Sequence, residues 1–534
     1  MDPRLHRLCG ALALSFAVFP LWVTQNLPMV DLPQHLYLIS GLHRLGDPTT
    51  LYPEFFALRG QLTPYLGYYY VVSLLNWLLP LPIANQVFLS AYVIGLPLSL
   101  AFLLRSLGRA TWPCWLSLPF AYGDSLAWGF INYCSALPIA FLCCGFFVRA
   151  IADPRRPRWS VGLAISLVAV LLSHVQVFAF LAIALPALLL MTRAPEDGAS
   201  RALPIWNRMA RLLANRRAAL IALIPGVALF AIWVVARVGQ PADVQYGAPW
   251  KAWGPLLSPA NLSFKSFAQN RAELTEVLAN MLRDGSDRYA LYAVSAVAAA
   301  AILLGVLPPT RQRSAEGPWE RWRLVVLASS ALLLYFALPF DIRGYIYYLN
   351  TRYAHLAAPL LVCAVPSMRP SASRLLLVAA CAGALALGIS LTRGFSRFSD
   401  EARAVEELSR QSAPRAKVMG LIFNPFSGIV RHPVFLHSAA TVAREHGGIP
   451  NFTFASTPHS PLRYRKEAPP TFPSEWRPDQ FNYAQQGWFY DHFLVRGADP
   501  TQVFGAILQA DLVIVGHSQG FWLFKRRDRA TGLR

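Results

Sequence analysis

Pro64-Tyr65-Leu66-Gly67-Tyr68-Tyr69-Tyr70-Val71-Val72-Ser73-Leu74-Leu75-Asn76-Trp77-Leu78-Leu79 is the stretch on which the topology of this chain turns. Its apolar run, residues 65–79, is short for a bilayer-crossing helix. The leading proline, the glycine, three consecutive tyrosines and the Asn-Trp pair suit the membrane surface, because Tyr and Trp favour the headgroup level. If the run crosses, the sidedness of everything after it inverts.

The surrounding composition makes the chain a multi-pass membrane protein: 534 residues, 55% hydrophobic and only 14% charged. Eleven further apolar runs are candidate spans: 8–23, 84–104, 110–122, 129–148, 160–173, 175–191, 218–236, 289–307, 324–340, 354–367 and 375–391. The first follows Arg4 and Arg7 and reads as a signal anchor. With 65–79 lying flat and the N-terminus cytoplasmic, one side of the membrane carries 20 arginines against six acids. That is the asymmetry of the positive-inside rule, and a crossing at 65–79 would reverse it for every later cluster. The net charge of +20 is therefore topogenic and gives no reason to expect nucleic acid as a partner. The fold class is an all-α polytopic membrane domain over residues 1–392, about eleven transmembrane helices plus an interfacial helix in the first outer loop. A small α/β soluble outer domain follows over 393–534. All seven cysteines lie in apolar runs, which leaves no disulfide framework or zinc motif in the tail.

On this topology the unusual polar residues gather on the outer side. The first outer loop opens with Asp31-Leu32-Pro33-Gln34-His35, where Asp31 and His35 share a face if the stretch is helical. Two readings of Asp31 stand. It is a catalytic base at the membrane surface, or it is an N-cap with Pro33 in the first turn. Asp124, His174, Arg343, Arg352, His355 and the loop carrying Trp250 and Trp253 lie on the same side. Each has a structural alternative: Asp124 as a helix cap, His174 as a turn residue, Arg343 as the ion-pair partner of Asp341. Ionisable groups at membrane depth are nonetheless functional candidates by default.

In the tail, 400–411 and 432–446 read as helices, and 417–423, 511–515 and 521–524 as strands. Gly516-His517-Ser518-Gln519-Gly520 matches the nucleophile-elbow pattern. A strand rather than a helix follows it, however, and no histidine comes after, so it reads as a turn. The chain has no P-loop, dinucleotide fingerprint or His-Glu-x-x-His motif.

An acid opening the first outer loop, then a Pro-led, Tyr-rich surface helix, many spans and a terminal outer domain together resemble the GT-C superfamily of integral-membrane glycosyltransferases. A further similarity to bacterial GT-C-like proteins rests on Trp128-Gly129-Phe130-Ile131-Asn132, Ser173-His174 and Gly447-Gly448. The resemblance implies a polyprenyl-phosphate sugar donor within the lipid bilayer and a glycan, lipid or protein acceptor. Asp31 would be the base of an inverting transfer, with His35 tuning it or holding acceptor. Arg343, Arg352 or His355 would meet the departing phosphate, and Tyr69 and Trp250 the sugar, with Asp124 and His174 as further substrate contacts. The site would face the periplasm of a bacterial inner membrane. Many GT-C proteins pair acids in this loop, whereas here Val30 and Leu32 flank a lone Asp. No cofactor is implied, and a divalent metal stays open without a paired-acid motif. A flippase for a lipid-linked substrate and a non-catalytic assembly subunit are the rival classes.

Overall fold

The computed structural model describes residues 3–60, 63–193, 213–238, 258–306, 319–342, 346–366, 368–465, 467–471 and 474–527. Trp250, Trp253 and Arg343 lie outside these residues. Among the described residues six helices are long and apolar enough to cross a membrane: Arg4–Trp22, Leu81–Ser106, Ile131–Ala152, Arg217–Ala236, Arg288–Gly305 and Pro370–Arg410. The chain is thus a multi-pass membrane protein. The other apolar runs form shorter elements, Pro157–Ser173, Val175–Met191, Arg323–Ala337 and Thr351–Cys363.

Two runs depart from simple helices. The expected span at 110–122 is a 3-10 helix, Trp112–Tyr122, buried along its whole length, and Pro113 and Pro119 interrupt regular α-helical bonding there. The expected surface stretch yields a helix over Gly67–Leu75 only. Nine residues rise about 14 Å, under half the hydrocarbon thickness of roughly 30 Å. Tyr68, Tyr69 and Val72 are buried, while Tyr70, Val71, Leu74, Trp77 and Leu78 form an exposed apolar face, as expected of a helix lying at the bilayer surface.

The helix Pro370–Arg410 is continuous over 41 residues, joining the expected span at 375–391 to the expected tail helix at 400–411. At 1.5 Å per residue it is about 60 Å long. Gly394 lies near its middle, where a Cβ would come within 2.3 Å of Leu282. Beyond this helix the tail forms a five-stranded sheet. Its spatial order is Ile449–Pro450, Lys417–Ile422, His492–Arg496, Phe521–Arg526, Leu512–Ser518; the first three are parallel and the last two form an antiparallel hairpin. The Gly516–Gly520 stretch closes that hairpin as a tight turn, with Gln519 and Gly520 both at positive φ. Ser518 donates to the Glu407 carboxylate at 3.0 Å.

The tail is sewn to the first outer loop. Phe56–Leu58 pairs antiparallel with Leu462–Tyr464, the Leu51 N–H donates to the Gly447 carbonyl, and the Tyr37 hydroxyl donates to the Gly448 carbonyl at 2.9 Å. Gly447 sits at φ +67° against Thr50, and a Cβ on Gly448 would fall 2.0 Å from the Ala416 carbonyl oxygen. Gly448→Ala is therefore expected to part the Ile449 edge from its neighbouring strand at a cost of about 1–3 kcal/mol. Limited proteolysis of the tail in detergent checks this: the variant should be cut faster there, with the transmembrane part intact.

Candidate active site

Asp31 stands at the N-cap position of the helix Leu32–His43, yet its side chain makes no cap bond. Its carboxylate instead lies 3.4 Å from His437 Nε2, and the other ring nitrogen of His437, Nδ1, lies 3.0 Å from a Glu475 carboxylate oxygen. All three side chains are largely buried. Carboxylates accept only, so an imidazole with an acid on each nitrogen serves both by carrying two protons. Burial opposes that charge, but Glu475 and Asp31 outweigh it and lift the His437 pKa from the ordinary 6.5 to about 10.

The rest of the Asp31–His35 stretch is just as specifically placed. Gln34 donates to the Phe452 carbonyl at 3.0 Å and accepts from the Phe454 N–H at 3.3 Å, so its amide pairs with tail backbone. His35 Nε2 meets the Gly129 carbonyl at 3.0 Å, which fixes the proton on that nitrogen. Nδ1 is then left to accept from the Tyr69 hydroxyl at 2.7 Å. Burial pushes the His35 pKa down, consistent with a neutral ring whose two nitrogens are both engaged.

Trp128-Gly129-Phe130 binds these groups together. The Trp128 carbonyl accepts from the Asp31 N–H, Gly129 meets His35, and the Arg352 guanidinium lies 4.3 Å over the Phe130 ring. Gly129 is at φ +87°, and a Cβ there would stand 2.9–3.2 Å from Asp31 atoms, so a bare backbone is required twice over. Arg352 also donates to the Gln176 side chain at 3.1 Å, while His174 caps the helix Val175–Met191 by accepting from the Gln176 N–H at 3.2 Å.

A second acid–histidine pair lies alongside. Asp124 opens a short helix and binds His432 Nε2 at 2.7 Å. The pair lines a cavity of about 310 Å³ whose wall includes Trp128, Tyr348, Trp476 and Arg431. Trp128 bonds to Asp31 and Trp476 follows Glu475 in the chain, so the cavity adjoins the Asp31 cluster. His355 is buried next to it, with Nδ1 3.4 Å from the Ser125 hydroxyl and its ring packed on Gly123, and is not on the cavity wall.

Of the expected site residues, Asp31, His35 and Tyr69 share one cluster with Arg352 at its edge. Asp124 lines the cavity, whereas His174 caps the helix Val175–Met191 and His355 lies buried in the helix Thr351–Cys363, off the cavity wall. His432, His437, Glu475 and Trp476 were not legible as site residues. Their only trace is two histidines five residues apart, His432 before Pro433 and His437 after it, in a stretch that reads as the helix 432–446 but forms its helix only over Ser438–Glu445, leaving 432–437 as loop. Among the described residues no group of three or more His, Cys, Asp or Glu is arranged to hold a metal; His437 turns its two nitrogens to different carboxylates.

With this geometry in place, the fold is shared with two solved structures. The structure matches ArnT from Cupriavidus metallidurans bound to undecaprenyl phosphate with a TM-score of 0.58 at 10% identity, covering 100% of both chains. It matches the arabinofuranosyltransferase AftD from mycobacteria with a TM-score of 0.50 at 13% identity, covering 99% of this chain and 42% of AftD, less than half of that protein's length. No family model and no curated protein matches the chain by sequence.

The His437 arrangement predicts a pH dependence. Because its folded pKa is raised, the stabilisation it gives is fully present below about pH 6.5 and is lost as pH rises through about 10. Thermal unfolding of wild type and His437→Gln between pH 6 and 10.5 should show a gap that closes as pH rises; parallel curves would contradict the assignment.

Proposed function

We propose that this chain is a glycosyltransferase that moves a sugar from a polyprenyl-phosphate donor to an acceptor hydroxyl on the outer face of a bacterial plasma membrane. The N-terminus is cytoplasmic and the tail periplasmic in this reading. The observation that carries it is the Asp31 carboxylate: released from helix capping, it is held by side chains from a remote part of the chain, in a protein with the GT-C fold. One of the two matched structures is bound to undecaprenyl phosphate and the other is an arabinofuranosyltransferase, which supports a lipid-linked donor here.

In this mechanism the acceptor hydroxyl attacks the anomeric carbon as Asp31 takes its proton. The bond from that carbon to the phosphate oxygen breaks in the same step, so configuration inverts and polyprenyl phosphate leaves as an anion. A phosphate leaving group needs little protonation but gains from a cation, a role that suits Arg352 or Arg343. The cavity beside Asp124, walled by Trp128, Tyr348 and Trp476, is sized for a sugar with one flat face stacked on an aromatic ring.

Two variants test this. Asp31→Asn should fold normally and lose about 10²–10⁴-fold in release of polyprenyl phosphate from a panel of polyprenyl-phosphate sugars. Wild-type binding of donor without turnover in the presence of diverse acceptors would instead point to transport. Gly129→Ala should push Asp31 out of register and cost on the order of 100-fold in turnover, with donor affinity measured separately and little changed.

A further inference from the structure

The Asp124 cavity does not end at its own wall. Phe426, exposed on its rim, also lines a second hollow of about 470 Å³ bordered by Ser427, Gly428, Arg283 and Arg496. Gly428 is shared in turn with a third, of about 260 Å³, set against the long helix at Ser390, Arg393 and Arg397. In the other direction Asn424 and Arg496 are shared with a fourth, of about 470 Å³, which reaches Gln519 and Trp522. The hollows adjoin one another from the candidate site, past the membrane end of the tail, to the edge of its sheet.

Its position in the tail follows a general rule. Arg496 and Asn424 mark the carboxyl ends of the parallel strands His492–Arg496 and Lys417–Ile422. The chain leaves Lys417–Ile422 toward Ile449–Pro450 on one side and returns at His492–Arg496 on the other. The crevice between two such strands is where open α/β sheets bind ligands.

The charges in this groove are asymmetric in their use. Beyond the Asp124 cavity, where Asp124, Glu273 and Glu276 pair with His432, Lys265 and Arg431, the two lining acids are spent on backbone: Asp284 accepts from the Ser286 N–H and Asp499 from the Thr501 N–H, each at 2.9 Å. Arg496 is braced by the carbonyls of Asn424 and Phe426 and lies over the rings of Phe435 and Phe521. Arg393 and Arg397 stand one turn apart on the long helix. Together with Arg283 they pair with no carboxylate among the described residues. Guanidinium forks not consumed by local acids are suited to phosphate or carboxylate groups.

We infer that this groove seats an anionic glycan acceptor, a chain bearing phosphate or carboxylate groups, with its reactive end in the Asp124 cavity. The assignment rests on the glycosyltransferase reading for its purpose, but its test does not require turnover. Full-length protein in phosphatidylcholine nanodiscs would be titrated at low salt with fluorescent hexagalacturonate, and with maltohexaose as the neutral counterpart. The wild type should bind the first and not the second. The R283Q/R393Q/R397Q variant should bind at least 10-fold more weakly with an unchanged melting temperature. R155Q/R156Q/R158Q, with the same loss of charge elsewhere, should bind as wild type. Equal binding by both triple variants, or of both probes, overturns the inference. So does loss of wild-type hexagalacturonate binding once phosphatidylglycerol is added to the disc, which would make these arginines a lipid-headgroup site. A failed donor assay with intact groove binding would refute the transferase and leave the groove; the converse would do the reverse.

Discussion

One imidazole between two carboxylates holds the two ends of this protein together. Asp31 belongs to the first outer loop, His437 and Glu475 to the tail more than 400 residues later. Taking three ionisable groups out of water is costly, and the cost is offset only when charges balance and the remaining hydrogen-bonding positions are filled. Removing His437 leaves two buried carboxylates with no cation between them, whereas Asp31→Asn leaves a balanced His437–Glu475 pair, so the imidazole specifies how the tail sits as well as how Asp31 points. The paired amide of Gln34 and the small sheet formed by Phe56–Leu58 and Leu462–Tyr464 extend the same contact with neutral groups.

The apolar runs were legible because hydrophobic length is a one-dimensional property. Composition exposed the apolar runs, and the stretch that its tyrosines and tryptophan set apart forms only the short helix Gly67–Leu75. Less legible were the elements whose conformation depends on neighbours. Trp112–Tyr122 is apolar enough for a span but, with two prolines, forms a 3-10 helix. The long helix Pro370–Arg410 read as two pieces because its surface changes from lipid-facing to water-facing while its backbone does not.

The candidate site was half visible. Asp31, His35, Tyr69 and Asp124 lie in segments expected on the outer side, between apolar runs, and this drew attention to them. Their partners gave no such signal, since a histidine before a helix and a glutamate in a proline-rich loop are ordinary surface residues until folding brings them to an acid. Trp128-Gly129-Phe130 is an intermediate case. Its role comes from two backbone carbonyls, a missing side chain and a ring face, and only the glycine hints at close approach.

The continuous helix Pro370–Arg410 also has a mechanical meaning. A rod about 60 Å long, with one half in lipid and the other packed against the tail, converts a tilt of about 5° in the bilayer into a displacement of roughly 5 Å at its far end. Helices tilt to match hydrophobic thickness. A change of bilayer thickness that tilts this helix would be carried to the seat of the domain that completes the Asp31 cluster, against the strand pairing that ties the tail to the first loop.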